Sequence, residues 1–426
     1  MMRIALVGTG IAGMSCAHKL YPHAEISLYE REERVGGHTH TVDVKEGDRS
    51  VSMDTGFMVY NEHTYPLLVR LFDELGVETM ETDMSFAVHH RPDQLYFKGS
   101  DLSSLFAQKR NLLRPIFWRM IKDILKFNRS AQALLGEPGQ TELSLSAFVR
   151  KLGLGQPFLN YYLLPMTSAI WSTPPDEMLD FPALTLITFL RNHGLLGVNS
   201  HFQWRTVRGG SRNYRDRLIA PFLDRFHLSR PARSIRRTDS GVEVVDEDGR
   251  SESYNAVVLA THADEALALL EAPEPDQQRL LSVFNYSDNG ILLHTDTNVM
   301  PPAQKAWASW NYCLDTNNQG QVEASTHYWM NSLQNVCDQV PYFVSVNGQD
   351  LVDPDKVLRR MRYTHPQFNR STAMAQRELH ELNQNGPIYF CGSYFRYGFH
   401  EDALMSGYAA AERILNPSAA NEPLPL

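Results

Sequence analysis

An α/β fold, in which a Rossmann-like nucleotide-binding domain is interrupted by a discontinuous mixed α+β substrate/cap domain, is predicted by three observations. The chain opens on an apolar strand that runs into Gly8-Thr9-Gly10-Ile11-Ala12-Gly13, a GxGxxG turn, and Glu30 closes the next strand. A mainly helical stretch, residues 101–199, then separates this unit from the second half of the chain. Strand patterns return there in pieces, at 256–261 and again at 388–392.

The opening turn marks a dinucleotide site for physical reasons. Gly8 permits a tight turn, Gly10 lets the backbone approach a pyrophosphate, and Gly13 lets the helix pack closely on the strand. The helix start, with Ile11 and Ala12, presents free amides and partial positive charge to an anion. Glu30, about 20 residues after the turn, is placed to accept hydrogen bonds from ribose hydroxyls, with Arg31 beside it. This motif alone leaves NAD and FAD both open.

The first helix covers 14–20 and ends before Pro22. A second glycine loop, Arg34-Val35-Gly36-Gly37-His38-Thr39-His40-Thr41, again allows close backbone approach to a ligand. A helix over 65–75 ends at Gly76, and 85–90 with 94–98 read as a hairpin. The long helical stretch breaks at Pro115, 136–139, 153–157 and Pro174-Pro175, and resembles a cap over a pocket. A helix over 214–223, a strand over 241–246 and the apolar run 256–261, typical of a strand covered on both faces, come next. Strands and turns fill 273–382, and the strand 388–392 and a helix over 402–415 close the fold. These elements divide into a nucleotide-binding domain of residues 1–82, 201–270 and 386–416, a substrate/cap domain of residues 83–200 and 271–385, and a flexible tail, 417–426. A pyridine-nucleotide dehydrogenase usually keeps its Rossmann unit contiguous, so the three-piece sheet favours a flavoprotein.

Bulk properties narrow the class. At 426 residues the chain can bury a large core, and the net charge of −9 argues against general nucleic-acid binding, which needs a basic face. Apolar runs are short, and Arg3 followed by the glycine turn does not make a signal peptide, so a soluble cytoplasmic protein is expected. The four cysteines are widely spaced with no CxxC pair, which suggests neither disulfides nor zinc. His38 and His40 without a third ligand nearby make a poor metal site, so no metal is expected.

Three motifs together resemble the FAD-dependent amine oxidase, phytoene desaturase and protoporphyrinogen oxidase superfamily, and look most like its bacterial branch of NAD/FAD-binding proteins. Gly8, Gly10, Gly13 and Glu30 match its ADP-binding fingerprint; Arg34, Gly36, Gly37 and Thr41 match its second loop, usually RxGGRxxT. Gly392 and the run from Gly398 to Gly407 match its C-terminal flavin motif. The resemblance implies an amine oxidase-like two-domain architecture and non-covalent FAD, with Gly392, Ser393, Asp402 and Ala403 at the flavin end. Three residues depart from the pattern: His38 stands for an arginine, Ser393 for an aspartate, and Asp402 for a glycine. A C-terminal helix start aimed at the flavin pyrimidine edge stabilises the negative charge that appears when flavin takes a hydride.

The branch also implies a lipid-like or fatty acyl substrate that is dehydrogenated by hydride transfer to flavin N5. An amine oxidase, a flavin-dependent isomerase and a non-catalytic FAD-binding partner of a lipid-modifying enzyme are the alternatives. Residues 109–129 interleave Lys109, Arg110, Arg114, Arg119, Lys122, Lys126 and Arg129 with large apolar side chains, with Asp123 the only acid, a pattern for peripheral contact with the inner membrane face. Trp171, Phe181, Leu184, Leu186 and Phe189 are candidates for an apolar pocket. Trp307, Trp310, Tyr312, Tyr328, Trp329, Tyr394 and Tyr397 are candidates for an aromatic wall. No acid or base stands out; His400, Glu401, His294, His327 and Trp310 are the catalytic candidates.

Overall fold

The computed structural model describes residues 1–134, 143–171, 178–196, 202–316, 320, 322–337 and 339–418. The breaks expected at 136–139 and 174–175, and the tail from 419 onward, lie outside these residues.

Five strands, β1 (Arg3–Val7), β2 (Glu25–Tyr29), β3 (Phe226–His227), β4 (Ala256–Leu259) and β5 (Ile388–Phe390), form one parallel sheet in the order β3-β2-β1-β4-β5. All four residues of β4 are buried. Alternate side chains feed two cores: Val257 and Leu259 enter one, while Ala256 and Val258 enter the other. This is the signature of a strand covered on both faces.

Helices cover that sheet. On one side lies α1 (Ile11–Leu20), which begins directly after Gly10 and so is three residues longer at its start than the pattern predicted. Next comes α2 (Pro66–Leu75), closed by Gly76 in the left-handed conformation, while α3 (Pro115–Leu134) and α4 (Ala183–Asn192) pack together in the helical cap. The expected break at Pro115 separates a 3-10 segment, Lys109–Leu113, from α3, which Pro115 starts because its missing N–H costs nothing at a first helical position. The helix expected over 214–223 runs over Arg212–Ile219 and tightens at Pro221 into a 3-10 segment, Ala220–Arg225. The last helix, α5 (His400–Leu415), lies against α1 so closely that a Cβ on Gly407 would sit 2.3 Å from the Ala12 carbonyl oxygen.

A second, seven-stranded sheet faces the helical cap, in the order Val357–Gln367, Asn285–His294, Phe343–Val346, Val322–Trp329, Trp310–Thr316, Phe86–His90 and Leu95–Lys98. The register sets Trp310 beside both Phe86 and Tyr328, making an aromatic row across three strands.

Candidate active site

The loop after β1 meets the second glycine loop at the carboxyl ends of the parallel strands, where α/β folds place their ligands. Gly13 and Gly10 lack side chains for different reasons. A Cβ on Gly13 would sit 2.0 Å from the Gly8 carbonyl oxygen, so the protein itself demands a glycine there. Around Gly10, by contrast, nothing lies within 4 Å of a built Cβ, and its φ of −64° suits any residue. Its small size therefore keeps a space open. The adjoining α1 N-terminus has no side-chain cap and no acid in its first turn, so its amides remain available to an anion.

Glu30, directly after β2, is buried and held by both oxygens: the Thr9 N–H donates at 3.1 Å and the Glu32 N–H at 3.0 Å. Arg34 donates to the Gly37 carbonyl oxygen at 2.9 Å and so shapes the second loop. Arg31 pairs with Glu265 at 2.6 Å. Thr41 does not reach this space. It donates to Asp54 at 2.6 Å, and Asp54 in turn ties in Ser211 and Gln334, so Thr41 positions the loop instead of touching a ligand.

A continuous cavity of about 1590 Å³ runs from these loops to the helical cap. Gly8, Gly10, Ile11, Ala12, Glu30, Arg31, Arg34, Gly36, Gly37 and His38 line one end, and Gly392, Ser393, His400 and Ala403 also contribute. Asp402 does not line it: at the third position of α5 its carboxylate accepts the Phe399 N–H at 2.8 Å, and burial raises its pKa to about 6. It caps the helix as a buried group, with Arg396 3.7 Å away. Ser406 closes the C-terminal motif by accepting the Gly392 N–H at 2.9 Å, which fixes α5 to the end of β5.

The catalytic candidates separate. His400 and Trp310 line the cavity; Glu401, His294 and His327 do not. Glu401 accepts the Leu67 and Leu68 N–H groups at 2.8 and 3.0 Å, capping the start of α2, although burial lifts its pKa to about 7. His294 and His327 are fully buried and share the Ser345 hydroxyl, each at 2.6 Å, inside the seven-stranded sheet. His400 stacks on Phe57 with ring centroids 3.8 Å apart, and a Thr39–Tyr214–His400 chain of hydrogen bonds holds it. Burial depresses its pKa to about 3, so it is a neutral ring. Of the aromatic candidates, Trp171, Phe189, Trp310, Tyr328, Tyr394 and Tyr397 line the cavity. Phe181, Leu184, Leu186, Trp307, Tyr312 and Trp329 do not; most of them pack into cores.

Several lining residues had no local signal in the sequence. His193, just after α4, donates from Nδ1 to the Phe189 carbonyl oxygen at 2.9 Å; because a carbonyl only accepts, Nδ1 carries the proton and Nε2 bears a lone pair. Burial lowers its pKa to about 4, so the ring is neutral. Tyr363 and His365, on the edge strand Val357–Gln367, flank His38 at centroid distances of 4.9 and 5.3 Å. Burial, reinforced by His365, holds His38 well below its ordinary pKa, so this position of the second loop bears a neutral imidazole.

The cavity fits a flavin dinucleotide. Beyond the open glycine turn, the uncapped amides at the start of α1 and the lining Glu30 offer donors to a pyrophosphate and an acceptor to a ribose. Fold and site together define a dinucleotide-binding flavoprotein of the α/β class. The chain belongs to the flavin containing amine oxidoreductase family, whose pattern matches residues 11–305 and 311–415. FAD is its cofactor. Flavin-containing amine oxidase A of Canis lupus familiaris is 25% identical over 256 residues, 57% of this chain and 46% of that relative, so the match spans less than half of the relative's length. Among solved structures, cyclohexylamine oxidase from Brevibacterium oxydans superposes with a TM-score of 0.67 at 16% identity, covering 97% of this chain and 99% of the other. A CLA-producing fatty acid isomerase from P. acnes superposes with a TM-score of 0.67 at 13% identity, covering 98% and 99%. Both likenesses are of fold. Among the described residues no helix is long and apolar enough to cross a membrane.

Proposed function

We propose that the protein is an FAD-dependent oxidoreductase that dehydrogenates a fatty acyl or similarly apolar chain. The observation that carries this reading is the lining of the cap end of the cavity, where Phe86, Ile121, Ile124, Met166, Ile170 and Phe189 make an apolar wall continuous with the nucleotide end. Of the carboxylates that line the cavity, the one nearest this wall in sequence, Asp83, is exposed and accepts the hydroxyls of Ser85 and Ser309, which leaves the wall poorly equipped to hold an ammonium group. The likeness in fold to a fatty acid isomerase supports an acyl substrate for a cavity of this architecture.

Bound FAD supplies the hydride acceptor, and the protein supplies binding and orientation. The apolar wall excludes water and aligns the chain. Trp310, beside Phe86 and Tyr328 in the aromatic row, offers its ring to the substrate chain. The proton left by dehydrogenation passes to His193 Nε2, the lone pair that the Phe189 carbonyl bond leaves free.

The test is anaerobic incubation of the flavin-loaded protein with fractionated phospholipids, with absorbance of the flavin and mass spectrometry of the acyl chains as readouts. Bleaching with an acyl chain lighter by one hydrogen pair is expected. Bleaching only by polyamines points to an amine oxidase instead. Isotope exchange into lipid without net oxidation points to an isomerase, and a flavin that stays oxidised with every lipid removes the reading.

A further inference from the structure

The stretch around α3 has an unusual surface. Among the described residues, six of the thirteen exposed large hydrophobic side chains fall between residues 102 and 125: Leu102, Leu112, Leu113, Ile116, Trp118 and Leu125. Leu113 is 87% exposed. Exposed positions along α3 fall at 115, 116, 118, 119, 122, 125, 126, 129 and 133, all but 116 at the spacing of one helical face. That face mixes Trp118 and Leu125 with Arg119, Lys122, Lys126 and Arg129.

Charge on this face has one sign. Asp123, the only acid between residues 102 and 129, is turned inward and accepts the Gly155 N–H at 2.9 Å. None of the seven lysines and arginines of this stretch forms a salt bridge among the described residues, in a chain of net charge −9. The opposite side of the same helix lines the cavity through Ile121, Ile124 and Asn128. Leu125, Gly99 and Ser100 are both lining and exposed, so the cavity wall reaches the surface at the edge of this basic, apolar face.

We propose that residues 102–129 dock on an anionic lipid bilayer and that the acyl end of the cavity opens onto the docked face, so that substrate enters from the membrane. Charge complementarity selects the occupant: anionic headgroups pair with cations that have no acid partner among the described residues, while Leu112, Leu113, Ile116 and Trp118 enter the headgroup–acyl boundary. The entry route rests on the acyl reading of the cavity; the docking does not.

The flavin-loaded protein is floated with vesicles of phosphatidylcholine alone and of phosphatidylcholine mixed with phosphatidylglycerol. Partition is expected on the anionic vesicles only, weakening as salt rises. Lys122→Gln with Arg129→Gln, and separately Leu113→Ser with Trp118→Ser, are each expected to weaken it about tenfold with the flavin spectrum unchanged. Brominated acyl lipid is expected to quench emission in the wild type and less so in Trp118→Phe. Equal partition on both vesicle types, no partition, or unaltered partition of both double variants overturns the docking face. A dimer that the Leu113/Trp118 variant dissolves assigns the face to a second copy and also overturns it. Reduction of the flavin by detergent-dispersed phospholipid is measured in parallel: docking without reduction removes the acyl reading alone, and reduction without docking removes the membrane face alone.

Discussion

At Gly10 and Gly13 the same residue type answers two different demands, and the difference is measurable. Gly13→Ala drives a Cβ into the Gly8 carbonyl oxygen, and the overpacking is expected to cost about 1–3 kcal/mol in denaturant unfolding. Gly10→Ala places its Cβ in open space, so apoprotein stability should fall by no more than about 1 kcal/mol, the loss of a favourable N-cap, while flavin content collapses. Equal flavin retention in the two variants would contradict the assignment of that space to the cofactor. Glu401 separates structure from chemistry in the same way. As the cap of α2 it should cost about 1–2 kcal/mol on replacement by alanine, with an unchanged flavin spectrum in the residual folded protein. His193→Ala is expected to slow substrate-dependent flavin reduction by about 100-fold, at undiminished FAD content, because it removes the lone pair offered to the departing proton. Retained rapid reduction would take that role away from His193.

Among the elements, α3 makes the sharpest claim, because its two faces have separate tasks. Ile121→Gln and Ile124→Gln, on the cavity side, should each raise KM for an acyl substrate by about tenfold while leaving FAD bound. The outward Ile116→Gln should leave KM for detergent-dispersed substrate unchanged. The elements that position the site were readable where a local pattern dictated them: the strand–glycine–helix opening, the left-handed Gly76 that ends α2, and the doubly covered strand β4. Errors arose where a side chain acts at a distance. Asp402 caps Phe399 from inside α5, so the helix starts at His400, two residues before its expected start. Glu401 resembles a catalytic acid in sequence, yet its partners, the amides of Leu67 and Leu68, lie more than 300 residues away. His193, Tyr363 and His365 reach the cavity only through the packing of the cap and an edge strand against the glycine loops, which no local spacing encodes.

The whole molecule carries an unusual load of neutral histidine, and this sets its response to acid. His40, His89, His193, His294 and His365 are held at pKa values of about 4 and His400 at about 3, while His38 and His327 lie well below the ordinary value; burial is the main cause in every case. A histidine depressed in the folded state contributes stability that is fully present above its unfolded pKa, near 6.5, and is lost as pH falls toward the folded value. Glu401 and Asp402 act in the opposite direction. Raised to about 7 and about 6, they contribute stability at low pH that is lost as pH rises through those values. Among the described residues, twelve histidines lie below their ordinary value and three carboxylates, Asp54 being the third, lie above theirs, so unfolding near pH 5 takes up protons on balance. The thermal midpoint should therefore fall steeply as pH drops from about 7 to about 5, and the slope should correspond to several protons taken up by the unfolded chain. A midpoint that is flat or rises over that interval would show that these imidazoles are not buried as neutral rings. His38, His365 and His400 line the cavity, so the same protonation reaches the site, and flavin release is expected to accompany the acid transition. Absorbance of free flavin in the filtrate, recorded in parallel with the melting curves, would register that release.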